Sequence, residues 1–324
     1  MKRLISLLLC ALLIVPALAE DAPDFEPIPW DIKVSPNLPN PDCYLPNNGG
    51  YHDDSIDIQI NVTYWTQDLQ QVDAPGEGTT TVMSARVKLT DVSQFRTGFA
   101  NKYPSKQARH VNDMTKRFKA VMGIDGDYCL YHEQGIVVRN GQTLRMRPHK
   151  GRDELIVDEN GDFHLITCTT QAKWDEYIAG GGTVLHAFCF GPALVVDGVP
   201  LTNLDDVTID NGKAKKAQRM VIGQIGKLEY LILTNEGPES TAPKSVGFDL
   251  VQMANLCVQF GLNNAYNLDG GSSSTIALNN QKINSPSSHK NRMVGDCIWF
   301  ATLVKEETWR EKESVQTVEV EENK

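Results

Sequence analysis

Strict alternation of apolar and polar residues runs through much of this chain and constrains its fold more than any other feature. The run "SIDIQINVTYW" alternates strictly from Ser55 to Tyr64, and "TVMSARVKLTDV" alternates more loosely. Successive side chains of a β-strand point to opposite faces, so a period of two predicts strands with one buried face. Two alternating runs flank Asn160-Gly161, a strong hairpin signal, and "MVIGQIGKLEYLILT" repeats this design around Gly226. The middle of the chain is therefore expected to be mostly strand and turn.

Three segments favour helices instead. "SKQARHVNDMTKRFKAV" suits a helix of about four turns, and "TTQAKWDEYIAGGG" begins at threonine caps and ends at glycine. The third segment, "SVGFDLVQMANLCVQFG", ends at Gly261. Strands and helices without regular alternation predict an α+β fold: mixed, strand-rich sheets with a few packed helices in a single main domain. The apolar stripe of the third helix consists of Phe248, Val251, Met253, Leu256 and Phe260.

The first nineteen residues are typical of a signal peptide. Lys2 and Arg3 precede an apolar run over residues 4–15, and Ala17-Leu18-Ala19 fits a signal peptidase site. The run is too short to span a bilayer comfortably, so no transmembrane segment is expected in the mature chain. These features predict a secreted or cell-envelope protein.

The rest of the chain divides into three parts by composition. Residues 20–50 are rich in Pro, Asn and Asp and predict an extended leader that Trp30 and Cys43 could anchor. Residues 51–304 form the predicted domain. Residues 305–324 carry many charges and no apolar period, which predicts an acidic mobile tail.

Removal of the signal peptide leaves six cysteines. An even number outside the cytosol permits disulfides, although the sequence selects no pairing, and buried free thiols are the alternative. The six residues are Cys43, Cys129, Cys168, Cys189, Cys257 and Cys297.

The charge and the histidines exclude several classes of function. A net charge of −10 gives no electrostatic footprint for nucleic acid, so an anionic substrate must be held by a few placed cations. The seven histidines are scattered without HxH or HExxH spacing, which argues against catalytic zinc. No cofactor is predicted, although Ca²⁺ or Mg²⁺ near Asp269 or Asp125 stays open because carboxylates are oxygen ligands.

The stretch "YNLDGGSSST" carries the strongest chemical signal. A short apolar-leaning run leads to Asp269, followed by Gly270-Gly271 and the four hydroxyl residues 272–275. Glycines allow successive N–H groups to point into one hollow that binds anions, and serine hydroxyls add donors for phosphate or sugar oxygens. A tight turn without function is the structural alternative.

Five motifs in register resemble those of the phosphodiester glycosidase family. The resemblance covers residues 115–304, and more loosely begins near residue 80. The motifs are "FGPALVVDG" from Phe190 to Gly198, "RMVIG" from Arg219 to Gly223, Ser245 and Gly247 with "FDLVQMANLCVQFG", "NLDGGSSST" from Asn267 to Thr275, and Arg292 before "VGDCIWFATLV".

Three positions depart from the family pattern. Ser272 stands where the family carries a third glycine, and Asp125 replaces the asparagine of an Ile-Asn-Gly motif. Glu236-Gly237-Pro238 lacks the arginine of the usual Asp-Gly-Arg. The motifs therefore indicate the reaction class better than they indicate the sugar.

The resemblance implies hydrolysis of a sugar 1-phosphodiester, such as an N-acetylglucosamine 1-phosphodiester, to free sugar and a phosphomonoester. Asp269 would act on the anomeric carbon as base or nucleophile, with Asp125 or Glu236 as the second carboxylate. Asn267 would read sugar hydroxyls. Each residue also has a structural alternative in a turn or a surface ion pair. The expected phosphate contacts are Gly270, Gly271, Ser272 and Ser273 with Arg219 or Arg292, and Gly191-Pro192 would shape the pocket floor.

Two classes of function follow. The first is an extracytoplasmic glycosidase acting on sugar phosphodiesters in polysaccharide, teichoic-type polymer or glycolipid. The second is a non-catalytic carbohydrate- or phosphoglycan-binding module on the same scaffold. Such a module would line a shallow groove with Trp65, Trp174 and Trp299.

Overall fold

The computed structural model describes residues 37–208, 215–240, 244–285 and 291–310. The signal peptide, Trp30 and most of the expected acidic tail lie outside these residues, so those expectations stay predictions. None of the helices in the described ranges is long and apolar enough to cross a membrane.

The largest sheet has ten strands, and its neighbouring strands are antiparallel. It contains the long alternating runs as central strands, as their period predicts. In spatial order the strands are β1 (Tyr44–Leu45), β2 (Gly50–His52), β3 (Ile56–Trp65), β5 (Thr80–Leu89), β16 (Glu229–Asn235), β15 (Arg219–Gly226), β17 (Asn264–Leu268), β13 (Ala193–Val196) and β14 (Val199–Pro200), with β4 (Gln71–Val72) paired to β3.

Two five-stranded antiparallel sheets complete the β-structure of the described residues. The hairpin expected around Asn160-Gly161 is confirmed by the pairing of β10 (Glu154–Val157) with β11 (Phe163–Ile166). One sheet runs β11 (Phe163–Ile166), β10 (Glu154–Val157), β12 (His186–Phe188), β8 (Gly135–Arg139), β9 (Gln142–Arg147). The other runs β19 (Gln281–Lys282), β18 (Ile276–Leu278), β7 (Met122–Asp125), β20 (Asp296–Phe300), β6 (Phe95–Phe99).

The main core lies where the inner faces of the three sheets meet. Ile58 of the large sheet, Leu155 of β10 and Ile298 of β20 belong to one buried apolar cluster. Burial of apolar surface is the dominant favourable contribution to folding, so this shared core explains why three sheets form one unit.

Each sheet carries one short helix on a second apolar cluster. These are α1 (Val111–Phe118) against β20, α2 (Gln171–Ala179) against β8 and β10, and α3 (Leu250–Gln259) against the large sheet. Phe118 stacks on Trp299 with ring centroids 5.3 Å apart. The described chain is thus mostly sheet with these three short α-helices and a helical turn over residues 307–310, and strand-rich describes it better than the expected α+β class.

The first helix is shorter than its sequence predicts. Two turns form in place of about four, because Arg109 is recruited into a β-bridge with Val294 before the helix begins. Lys119 then ends the helix in the left-handed conformation with φ of 54°. A distant strand partner therefore competes successfully with local helix propensity.

Residues 37–50, part of the expected leader, add strand structure to the large sheet. β1 pairs with β2, and the Tyr44 hydroxyl donates to the Val121 carbonyl at 3.3 Å. The six cysteines of the described residues are free thiols, four of them buried. The expectation of disulfides is therefore replaced by its alternative, in which the thiols serve mainly as small apolar core groups.

Candidate active site

Asp269 lies at the end of β17, directly after a buried strand, as the sequence predicts. The neighbours of β17 are antiparallel to it, so the start of β15 lies beside this end, with Met220 opposite Leu268. The start of β13 lies on the other side, with Ala193 opposite Tyr266. Three stretches distant in sequence thus present their polar ends at one edge of the sheet.

A pocket of about 490 Å³ opens at this edge. Seven of the residues expected at the site line it, and five do not. Those in the lining are Arg219, Asn267, Asp269, Gly270, Gly271, Ser272 and Arg292. Those outside it are Asp125, Gly191, Pro192, Glu236 and Ser273.

The turn after Asp269 is shaped by its two glycines. A side chain at Gly270 would meet the carbonyl oxygen of Gln218 at 2.8 Å, so only glycine allows this close approach. Gly271 has φ of +60°, a conformation that residues with side chains rarely adopt. The close approach therefore requires glycine at position 270, and the backbone conformation favours it at position 271.

The N–H groups of this turn are largely engaged within the protein. Gly270 donates to its neighbour's carboxylate, Asp269 Oδ1, at 2.9 Å, and Gly271 donates to the Gln218 carbonyl at 2.9 Å. Ser273 N–H donates to the Gly270 carbonyl at 3.2 Å. In this conformation these three groups are not available as the anion-binding hollow that the sequence suggests. Contacts to an anion would instead come from side chains of the pocket wall.

Asn267 is held by the Gly191-Pro192 segment. Its side-chain Nδ2 donates to the Gly191 carbonyl at 2.8 Å, and its backbone N–H donates to the Pro192 carbonyl at 3.0 Å. Its Oδ1 has no hydrogen-bond partner among the described residues, although the side chain is buried. Buried polar atoms are nearly always paired, so this oxygen marks a place for a donor from a ligand or water.

Asp125 lies behind Asp269 and is fully buried. The Asp269 N–H donates to the carbonyl of Gly126 at 3.2 Å, and Asp125 Oδ1 accepts from the Thr275 N–H at 2.8 Å. Burial, and then the nearby Asp269 carboxylate, raise the pKa of Asp125 well above its usual value. Asp125 is therefore a carboxyl group next to Asp269 whose protonated form is favoured by burial.

Glu236 is committed to hydrogen bonds inside the protein. Its two carboxylate oxygens accept from the Ser285 N–H at 2.9 Å and from Gln218 Nε2 at 2.8 Å. Burial raises its pKa. The following residues, Gly237 and Pro238, line the pocket, so Glu236 braces the wall without lining it.

Two arginines contribute positive charge to the pocket. Arg219 is 7% exposed, and burial lowers its pKa to about 10, which leaves it charged at neutral pH. Its Nη2 donates to the Lys215 carbonyl at 2.6 Å, while its Nε has no hydrogen-bond partner among the described residues. Arg292 is exposed and lies over the ring of Tyr128, 5.4 Å from the centroid. A planar guanidinium suits a bidentate contact with phosphate.

Comparison with known proteins identifies the family. The phosphodiester glycosidase (NAGPA) family model matches residues 118–301, which is more than half of the chain and includes all twelve predicted site residues. The chain belongs to the phosphodiester glycosidase family. No curated protein sequence matches it.

Solved structures show the same fold at low identity. The zebrafish N-acetylglucosamine-1-phosphodiester α-N-acetylglucosaminidase catalytic domain matches with a TM-score of 0.61 at 15% identity, over 78% of this chain and 86% of that chain. A hypothetical protein from Synechocystis matches with a TM-score of 0.52 at 14% identity, over 77% of this chain and 62% of that chain. This chain therefore shares its fold with an enzyme catalytic domain.

Among the lining residues that the sequence did not predict, four are cationic or aromatic. Lys215 and Lys216 add positive charge, while Tyr128 and Phe190 add aromatic surface. Tyr128 also has φ of 56°, an uncommon conformation for a bulky residue and one associated with functional sites. The adjacent lysines Lys215-Lys216, just before the strand that begins at Arg219, could have been predicted from the sequence as pocket cations. No local feature of the sequence marks Tyr128 as a pocket residue.

A fifth residue, Lys282, lies behind the turn. Its Nζ donates to the Ser274 carbonyl at 3.0 Å and to Thr275 Oγ1 at 3.2 Å. Burial lowers its pKa, while the nearby Asp125 and Glu236 carboxyl groups act in the opposite direction. Lys282 therefore links both predicted second carboxylates electrostatically to the turn.

The aromatic residues expected of a binding module are elsewhere. Trp65 and Trp174 are each 7% exposed and Trp299 is fully buried, and they belong to apolar clusters beneath the helices. None of the three lines the pocket. The groove that would have favoured a binding module is therefore not formed by these tryptophans.

The donor set that most resembles a metal site in the described residues is already filled by a cation. Asp127, Cys129 and Asp296 place ligand atoms within 4.8 Å of one another. Arg139 Nη2 lies 3.0 Å from Asp127 Oδ1 and 3.2 Å from Asp296 Oδ2. A guanidinium at this position opposes the binding of a metal ion, so these residues form a buried ion cluster.

Proposed function

We propose that this chain hydrolyses sugar 1-phosphodiesters, such as N-acetylglucosamine 1-phosphodiesters, at the bond between the anomeric carbon and the phosphate oxygen. The observation that carries the proposal is a carboxylate, Asp269, in one pocket with the charged side chains of Arg219 and Arg292. A phosphodiester needs positive charge at the phosphate and an oxygen nucleophile or base at the sugar, and this pocket offers both.

The leaving group determines what the protein must supply. A departing phosphomonoester is a stabilised anion, so it needs little protonation, and the main requirement is stabilisation of negative charge. Arg219 Nε and Arg292 would contact the phosphate, with the Ser272 hydroxyl as a further donor. Asn267 Oδ1 would accept from a sugar hydroxyl. Asp269 would act on the anomeric carbon directly or through a water molecule.

Asp125 is the better candidate for the second carboxyl group. It is fully buried beside Asp269, and its raised pKa favours the protonated form. A neutral carboxyl behind Asp269 would avoid a second negative charge next to the reacting carboxylate. Glu236 fits a bracing role because both of its oxygens already accept hydrogen bonds.

The site of action is proposed to be outside the cytoplasm. The support is the signal-peptide pattern over residues 1–19. N-terminal sequencing of the exported chain should begin at Glu20. An exported chain that still begins with Met1 would contradict cleavage.

Hydrolysis can be followed by proton and phosphorus NMR with UDP-N-acetylglucosamine and a methyl-phospho-N-acetylglucosamine diester. The parent should release free sugar and phosphomonoester, and Asp269→Asn should be slower by a factor of about 10² to 10⁴, typical for loss of an acid or base group. Asp68→Asn, at an exposed carboxylate in the β3–β4 turn, is the matched control and should retain full activity. The first anomer detected reports the stereochemical outcome.

Two outcomes would count against the proposal. If Asp269→Asn folds and keeps the parent rate, Asp269 is not the reacting group. If the folded parent releases sugar from neither substrate but binds them in a calorimeter, a non-catalytic binding module becomes the better description.

A further inference from the structure

A second cavity lies beside the candidate active site, behind a pair of stacked tyrosines. Tyr128 lines the first pocket and Tyr131 lines the second, and their rings stack with centroids 4.4 Å apart. The second cavity has a volume of about 510 Å³, similar to the first. One short loop between β7 and β8 thus forms the wall that the two cavities share.

Cations flank both rings of this wall. Arg292 lies over Tyr128 at 5.4 Å from the ring centroid, and Lys106 lies over Tyr131 at 5.9 Å. The Tyr131 hydroxyl donates to the Lys106 carbonyl at 3.1 Å, which fixes the ring relative to that segment. A ladder of cation, ring, ring and cation therefore runs from one cavity to the other.

The loop that carries the two tyrosines is held in place from the second cavity. The Arg145 guanidinium donates to the carbonyls of Cys129 and Gln134, each at 2.8 Å, and to the Gly135 carbonyl at 3.1 Å. Because its nitrogens donate to these carbonyls, Arg145 stabilises the loop and is not assigned to ligand binding. A wall fixed before a ligand arrives lowers the entropy cost of binding.

The exposed side chains of the second cavity favour an anion attached to a sugar. Lys106 and Arg147 are exposed and line it, against a single acid, Glu133. Tyr131 is 37% exposed, and because its two faces are covered by Tyr128 and Lys106, its edge is the part accessible to a sugar ring. Lysine and arginine supply charged hydrogen bonds to phosphate, and tyrosine supplies an amphipathic surface.

We propose that the second cavity binds the next phosphate-bearing unit of an oligomeric phosphoglycan whose terminal sugar 1-phosphodiester occupies the first pocket. This inference rests on the proposed function and specifies its substrate as a sugar-phosphate polymer in place of a small diester. The cations are arranged on both sides of the tyrosine wall, as a chain with repeated negative charges requires.

The test compares two substrates on the full chain. One is the methyl-phospho-N-acetylglucosamine diester, and the other is a synthetic linear trimer of N-acetylglucosamine 1-phosphate units. The parent should hydrolyse the trimer with a kcat/KM at least about tenfold higher, the contribution of one charged hydrogen bond. The double variant Lys106→Ala with Arg147→Ala should lose this preference while its kcat/KM for the methyl diester stays within about twofold of the parent. Lys116→Ala, an exposed lysine on α1, is the matched control and should change neither value.

Binding provides a readout that does not depend on turnover. Calorimetry with Asp269→Asn should give a Kd for the trimer at least about tenfold lower than for the methyl diester, and the two additional substitutions at Lys106 and Arg147 should remove the difference. If the parent cleaves both substrates equally well and binding is equal too, the second cavity is not a subsite although the proposed function stands. If neither substrate is cleaved, the proposed function fails, and equal binding of trimer and methyl diester would overturn the subsite as well.

Discussion

Two sets of buried charged side chains lie close to β7 and differ in how their charge is used. In the ion cluster of Asp127, Arg139 and Asp296, both carboxylates contact the guanidinium, and all three side chains are at most 3% exposed. Asp127 also accepts from the Cys189 N–H at 3.0 Å. Arg139 Nε makes no hydrogen bond among the described residues, but its other nitrogens are engaged.

The pocket set of Asp269, Arg219 and Asn267 is arranged for an external partner. Arg219 Nε and Asn267 Oδ1 have no hydrogen-bond partner within the described chain, and both residues line a cavity. A buried polar group without a partner costs about 1–3 kcal/mol, so the fold is less stable here than pairing would make it. The ion cluster therefore stabilises the fold, whereas Arg219 Nε and Asn267 Oδ1 are placed to bind a ligand.

The largest expected effect on stability is at the ion cluster. Arg139→Met should lower the free energy of unfolding by about 3–5 kcal/mol, because it leaves the buried Asp127 carboxylate without its cation. Urea unfolding followed by circular dichroism measures this. The matched control is Arg86→Met, which breaks an ion pair with Glu229 at an arginine that is 53% exposed and should cost less than about 1 kcal/mol. Equal losses in the two variants would show that the cluster contributes no special stability.

Substitution of Arg219, in the pocket, should affect activity much more than stability. Arg219→Met removes a charge that the proposed mechanism directs at the phosphate, so kcat/KM should fall about 10²-fold, typical for one stabilising donor. The free energy of unfolding should change by about 1 kcal/mol or less, since Nε makes no hydrogen bond and Nη2 makes one, to the Lys215 carbonyl. The NMR assay and urea unfolding on the same samples measure both quantities. A parent-like rate combined with a large loss of stability would reassign Arg219 to the structural set.

The smallest change, taken per pH unit, is a pH dependence of stability that belongs to the ion cluster. Burial, and then repulsion by Asp127, raise the pKa of Asp296 to about 8. Between pH 4 and 8 the folded chain therefore holds a proton that the unfolded chain has released, so this group lowers stability as pH rises. Asp296→Asn removes the titration. Relative to the parent, the variant should gain up to about 1.4 kcal/mol per pH unit within this window.

Urea unfolding at pH 5, 6, 7 and 8 tests this expectation. Asp68→Asn is the control at an exposed carboxylate and should follow the parent at every pH. A constant difference between Asp296→Asn and the parent across the series would mean that Asp296 is ionised throughout and that Arg139 compensates both carboxylates.

Local patterns predicted the elements well where partners are close in sequence. The hairpin at Asn160-Gly161 and the Thr170 cap of α2 are confirmed. The first helix shows the limit of this reasoning, since Arg109 pairs with Val294 far along the chain. Helical propensity is a weak local preference, and a long-range hydrogen bond overrides it.

The candidate site was predictable only in part for the same reason. Motif resemblance identified Asp269, Asn267, Arg219 and Arg292, and each lines the pocket. It also selected Gly191 and Glu236, which support the pocket wall through hydrogen bonds. Tyr128 was missed because its role depends on a left-handed backbone conformation and on Arg292 packing over its ring.

The sequence by itself determined the strand-rich character, the position of Asp269 at a strand end and the glycines of the turn that follows. These features depend on side-chain period and backbone freedom, which are local properties. The tertiary structure decided which cations line the pocket with Asp269 and that Asp125 is buried behind it. It also decided that Arg139 pairs with Asp127 and Asp296 in the ion cluster. Those facts depend on antiparallel pairing between strands distant in sequence, and burial then sets which charges are paired and which are left for a ligand.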